Sequence, residues 1–174
     1  MEPQNSLEQA LEGWQHGQAS LQEVRALAAD LGNEHYSPGV PALMQLLGYG
    51  DEIVRYNAAM SLSYEFHHKP AAEALLAMLA GDPDDDCRRV AAGGLGALFQ
   101  NTRNGRILAA LGHAALNDSD EYVRSAAFKS LLIVNGVSRD QHLELLRDQS
   151  QSVDPARVQS ILAGIPRSPA EAGS

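Results

Sequence analysis

Small and apolar residues recur along this chain in three registers that can be laid on one another. Val54, Cys87 and Val123 are separated by 33 and then 36 residues. Each is followed at once by arginine (Arg55, Arg88, Arg124), four positions on by alanine (Ala58, Ala91, Ala127) and eight positions on by leucine (Leu62, Leu95, Leu131). Offsets of four and eight mark one face of an α-helix. A fainter copy lies upstream, where Val24-Arg25 precedes Ala28 and Ala29.

A second apolar segment stands before each of these helices: "VPALMQLL", "AAEALLAMLA" and "GRILAALGHAAL". The repeating unit is therefore a pair of helices. Leu43 and Leu46 hold the same offset from Asp51 as Leu76 and Leu79 from Asp84, whereas Leu111 and Leu116 drift by one position in the next copy. Asp51, Asp84 and Asp120 each stand three positions ahead of the Val-Arg or Cys-Arg pair, where a carboxylate caps the free N–H groups of the second helix and faces its positive end. Ser20 with Glu23, and Ser138 with Gln141, form capping boxes, and Asp154-Pro155 reads as a cap followed by a first helical residue. The pattern predicts ten helices in five pairs over residues 1–165, as a single domain, with a disordered Pro-, Ser- and Gly-rich tail over 166–174.

Periods of this length built from helix pairs are the signature of a solenoid, in which no unit buries its apolar face alone. The pattern of acid, any residue, apolar-Arg, then spaced Ala and Leu resembles the HEAT-like repeat, in the short bacterial form also found in phycobilisome lyase subunits. The resemblance is good from about Pro38 to Val134 and looser in the flanking pairs. It implies an all-α, right-handed αα superhelix. It also implies a ladder of alternating charges along the turns, formed by Asp51, Arg55, Asp84, Arg88, Asp120 and Arg124. In such arrays the second helices line a concave face. The side chains that the core register leaves over there are Tyr56, Asn57 and Tyr64, then Arg89 and Val90, then Lys129. Tyrosine and arginine are enriched among interface anchors; the alternative is that the two tyrosines only cover helix surface.

Charge narrows the partner. Thirteen basic against twenty-two acidic residues leave a formal charge of -9, which repels a phosphate backbone and disfavours nucleic acid. A protein with a basic surface suits this charge, and acidity also serves solubility. No apolar run approaches the ~20 residues that cross a bilayer, so no membrane partner is expected. The N-terminus has no secretory pattern and Cys87 is the only cysteine, which makes a cytoplasmic location the expectation.

Candidate chemistry is sparse. His67-His68 with Glu65 is the one local cluster, and a solvated helix end explains it better than a metal; His16, His35, His113 and His142 have no partner at ligand spacing. "GDPDDD" lacks the glycine and distal glutamate of a calcium loop and reads as a turn with a helix cap. Cys87 shares the core register of Val54 and Val123, which makes it a buried thiol. The His-Glu dipeptides of the HEAT-like deoxyhypusine hydroxylases do not occur, and the acidity disfavours the HEAT-like DNA glycosylases. The expectation is no enzyme, no metal and no cofactor: a non-catalytic protein-interaction module of bacterial type, such as an adaptor, an inhibitor or an immunity-type protein. The alternative the resemblance suggests is a bilin lyase or chromophore-handling subunit. Gly93, Gly94 and Gly96, inside an expected helix, each cost about 1 kcal/mol relative to alanine. Either a neighbouring helix packs close there or a partner's chain approaches the backbone.

Overall fold

The computed structural model describes residues 3–136 and 153–165. The Ser138–Gln141 capping box and the expected tail fall outside them. Helices α1 (Pro3–Gln15) and α2 (Leu21–Asn33) form the first pair, followed by α3 (Val40–Leu46) with α4 (Glu52–Met60), α5 (Ala72–Gly81) with α6 (Asp85–Leu98), and α7 (Gly105–Asn117) with α8 (Glu121–Val134). Helix α9 (Pro155–Ala163) packs on α7. The second helices stack in the order α2, α4, α6, α8, and α3, α5 and α7 lie against α4, α6 and α8 in turn. No strand occurs among the described residues. The result is an all-α solenoid of two helical layers.

The repeated register forms the interior. Val54, Cys87 and Val123, the three alanines four positions on and the three leucines eight positions on are all fully buried. The caps sit where the acids lie. Asp51, Asp84 and Asp120 accept from the backbone N–H of Val54, Cys87 and Val123 at 3.2, 2.9 and 2.9 Å. Asp154 likewise caps α9 ahead of Pro155. Second helices end on a left-handed residue: His35 follows α2 and Asn101 follows α6, with φ of 49° and 59°. Gly136 follows α8 with φ of 88°. His67 does the same after the extension of α4, with φ of 45°. Such a residue stops a helix and turns the chain. Pro38 and Pro70 then open short 3₁₀ turns into the next first helix.

The charged ladder runs one step differently from the expected set. Arg55 forks onto Asp82, with Nε and NH2 2.8 and 2.7 Å from its two oxygens, and Arg88 forks onto Asp118 at 2.9 and 3.0 Å. Asp84 and Asp120 are thus caps and not rungs. The reason is a recurring Asp-X-Asp turn: the first carboxylate receives the arginine of the preceding repeat and the second caps the new helix. In "YGD", where the earlier position is Tyr49, Asp51 does both jobs, capping α4 and taking Arg25 at 2.9 and 2.5 Å. The remaining guanidinium nitrogen turns back to its own repeat. Arg55 NH1 donates to the carbonyls of Tyr49 and Gly50, Arg88 NH1 to that of Asp82, and Arg124 NH1 to those of Asp118 and Ser119. Asp82 and Asp118 also accept from the backbone N–H two residues on, which holds the turn.

The glycine question has a structural answer. A Cβ built on Gly94 would lie 2.2 Å from Ser63 Oγ, one on Gly96 would lie 2.6 Å from Ser130 Oγ, and one on Gly32 would lie 2.2 Å from Ser61 Oγ. Every contact between successive second helices thus sets one glycine against one serine. Residues two apart on a helix point nearly opposite ways, at about 200°. Ser61 and Ser63 therefore face α2 and α6 from the same turn, and Gly94 and Gly96 face α4 and α8. Ser61 lies in a π-helical extension of α4, Ser61–Glu65, and donates its hydroxyl to the carbonyl of Ala28 at 3.1 Å. Ser63, fully buried in that same turn, has no hydrogen-bond partner for its hydroxyl.

Three outcomes follow from this packing. Ala91→Leu should overpack a fully buried site and cost about 1 to 3 kcal/mol, whereas Ala97→Leu, at a half-buried position, should cost much less; chemical denaturation of both variants compares them. Ser63→Ala removes an unpartnered buried hydroxyl and should raise the melting temperature, by a gain on the order of 1 kcal/mol. The third outcome concerns pH. The hydrogen bonds from Arg25 hold the Asp51 carboxyl below its ordinary range. At Asp118, burial alone pushes upward, but the bonds from Arg88 and the Asp120 amide outweigh it and the net shift is down. A carboxyl whose folded pKa is depressed stabilises the fold above its unfolded value, about 4, and that stability is lost as pH falls through the folded value. Melting temperature should therefore hold above about pH 5 and drop below about pH 4. In Arg25→Gln that acid-side drop should be shallower.

Candidate functional site

Between the first turns of α4 and α6 the surface forms a recess of about 370 Å³, lined by Glu52, Ile53, Tyr56, Asp84, Asp86 and Arg89. It exists because the core register claims Val54, Ala58, Cys87 and Ala91, which leaves Ile53 and Tyr56 on α4 and Asp86 and Arg89 on α6 turned toward the surface. Tyr56 is half-buried, its ring resting on the core, and Arg89 is exposed and paired with Asp86 one turn back at 2.6 Å. The recess has an aromatic wall, one cation and three carboxylates.

Tyr56 and Arg89 come together in the recess. Tyr64 lies two turns along from Tyr56, in the π-helical extension, with 37% of its surface exposed while its hydroxyl reaches over Gly93. Burial of that hydroxyl, reinforced by Tyr56, pushes its pKa up. Lys129 is half-buried on α8. Asn57 is half-buried and donates its side-chain amide to the carbonyl of Arg25 at 3.3 Å, which ties α4 to α2. Val90 does not belong to the surface: only 5% of it is exposed, because α6, packed between α4 and α8 and under α5, has too narrow a free face to leave that position out.

A second hollow, about 530 Å³, lies between α5 and α7, with Leu76, Leu79, Ala110 and Ala114 as its apolar walls and His113 and Asn117 at its edge. It backs onto the Arg88–Asp118 pair. Periodicity does not reveal it, since it arises from the gap between two first helices and not from any one residue.

The other candidates resolve into structural roles. Glu65 faces His35 at 3.3 Å and not the adjacent histidines. Among the described residues no three His, Cys, Asp or Glu side chains converge as metal ligands. The Cys87 thiol is fully buried and donates to the carbonyl of Glu52 at 3.3 Å, and burial pushes its pKa up to about 12. No helix of the described residues is long and apolar enough to cross a membrane.

No curated protein matches the chain significantly. A family model described as HEAT repeats matches twice, over residues 7–96 and 72–163, and the two matches together span most of the chain. The second helices with their buried Val-Ala-Leu register, the Asp caps and the arginine passed to the next repeat lie within these spans, and the chain belongs to the HEAT-repeat family.

Proposed function

We propose that the protein is a non-catalytic interaction module that binds another protein through the face built by its second helices, with the recess between α4 and α6 as its centre. HEAT repeats commonly mediate protein–protein interactions. The observation that carries the reading here is that Tyr56 and Arg89, side chains of the anchor type, line one recess from adjacent helices. Tyr64 and Lys129 extend the same face along α4 and onto α8. The glycine–serine contacts support its concavity: helices in contact through glycine and serine approach more closely than those separated by leucines, and a layer thinned in this way draws the array inward on that side. An adaptor, inhibitor or immunity-type role fits such a surface. The charge of -9 favours a protein over a nucleic acid as its partner.

The test is binding to whatever protein co-purifies with the chain from its native cell. Tyr56→Ala combined with Arg89→Ala removes both anchors and should weaken binding at least about tenfold while leaving the melting temperature within a few degrees. The helical circular dichroism should be retained. Unchanged affinity in the folded double variant would remove the recess from the interface.

A further inference from the structure

Four large apolar side chains stand exposed among the described residues, and three of them occupy the first turns of second helices: Leu21 at 45%, Ile53 at 41% and Tyr122 at 49%. Ile53 and Tyr122 hold the same register, one residue before the buried Val of their repeats, and Glu23 and Asp86 hold it in the other two. Read across the stack, that position runs acid, apolar, acid, aromatic. The position before it adds Glu52, Asp85 and Glu121, all exposed and none in an ion pair with another described residue.

Helix dipoles account for carboxylates at first turns, so the acids alone indicate nothing. They do not account for the apolar members. An isoleucine left nearly half-exposed in the wall of the recess, and a tyrosine left so in the same register two helices on, make a surface that gains by being covered. The charge around it says by what. Arg25, Arg55 and Arg88 are engaged by Asp51, Asp82 and Asp118, and Glu52, Asp84, Asp85, Asp86 and Glu121 outnumber the two further cations of these turns, Arg89, which Asp86 engages, and Arg124. Each helix end contributes only about half a positive charge, so the strip is net negative. Neighbouring helices lie about 10 Å apart, and an extended chain rises about 3.3 Å per residue. One helix-to-helix step thus matches about three residues of an extended partner, and the distance from Ile53 to Tyr122 matches about six.

We propose that the first turns of α2, α4, α6 and α8 dock an extended basic segment of a partner protein. A Lys or Arg of that segment enters the recess beside Tyr56, between Glu52 and Asp86, and apolar residues about six apart cover Ile53 and Tyr122. This deepens the protein-binding reading and rests on it.

A labelled synthetic peptide with lysine at every third position and two leucines about six residues apart, titrated against the full chain by fluorescence anisotropy, tests the proposal. Saturable binding that weakens as salt rises from about 0.02 to 0.2 M is expected. Ile53→Ser with Tyr122→Ser should weaken it at least about tenfold, and Glu52→Gln with Asp86→Asn should both weaken it and flatten the salt dependence. Glu8→Gln with Glu12→Gln, the same charge change made on α1, should leave it within about twofold. Melting curves establish that each variant is folded. Three results overturn the proposal: no saturable binding, an equal loss in the α1 variant, or equal affinity for a peptide whose leucines are replaced by serine. If the peptide fails while Tyr56→Ala with Arg89→Ala still abolishes binding of the co-purified protein, the face binds a partner of another kind, and only the basic segment is refuted.

Discussion

Three successive repeats of this array each hand one arginine to the next. The fork from Arg55 to Asp82, and its counterparts from Arg25 to Asp51 and from Arg88 to Asp118, are the most buried of the links between successive units among the described residues; Arg106 with Glu73 and His35 with Glu65 lie at the exposed surface. Everything near the forks is arranged to make them tolerable. Arg55 keeps only 9% of its surface exposed, and its remaining nitrogen is satisfied by two carbonyls of its own turn. Asp82 is held from behind by the Asp84 amide. A charge pair this buried adds little net stability over an apolar pair of the same shape, but losing one partner would strand the other at several kcal/mol. The forks thus specify which turn abuts which more than they add to stability.

That specification matters because the helix contacts themselves are permissive. Alanine, glycine and serine present few features by which one second helix could recognise its correct neighbour and register. The glycine–serine contacts permit close approach, and side-chain hydroxyls and amides bridge the helices, as with Ser61 to Ala28 and Asn57 to Arg25. Ser63 shows the cost. Its hydroxyl is small enough to fit over Gly94 but finds no acceptor there.

The helix pairs and the buried register were legible because period and offset depend only on local spacing, and the capping acids because a cap lies three residues from the N–H it serves. The ladder was legible in kind and misplaced in detail. Asp84 and Asp120 stand close in sequence to Arg88 and Arg124, yet proximity along the chain does not say which of two carboxylates in Asp-X-Asp faces the preceding repeat. The recurrence of "DPD" and "DSD" at one register was the available signal. The serines opposite the glycines were missed for a similar reason, since a contact between residues about thirty apart leaves no periodic trace of its own. Val90 was misjudged because a helix flanked on both sides has a narrower free face than a helix with one neighbour.

The forks also give the array a direction. At each of the three described joints a cation goes forward to an acid of the next unit, so the two sides of a unit are chemically unlike. A unit carrying Asp-X-Asp and its arginine brings both halves of the joint with it. It can be inserted between two others with the charges still matched, and the same is true when one is deleted. A chain built this way can change its length by whole repeats without redesigning any interface, and its binding surface would lengthen or shorten in equal steps.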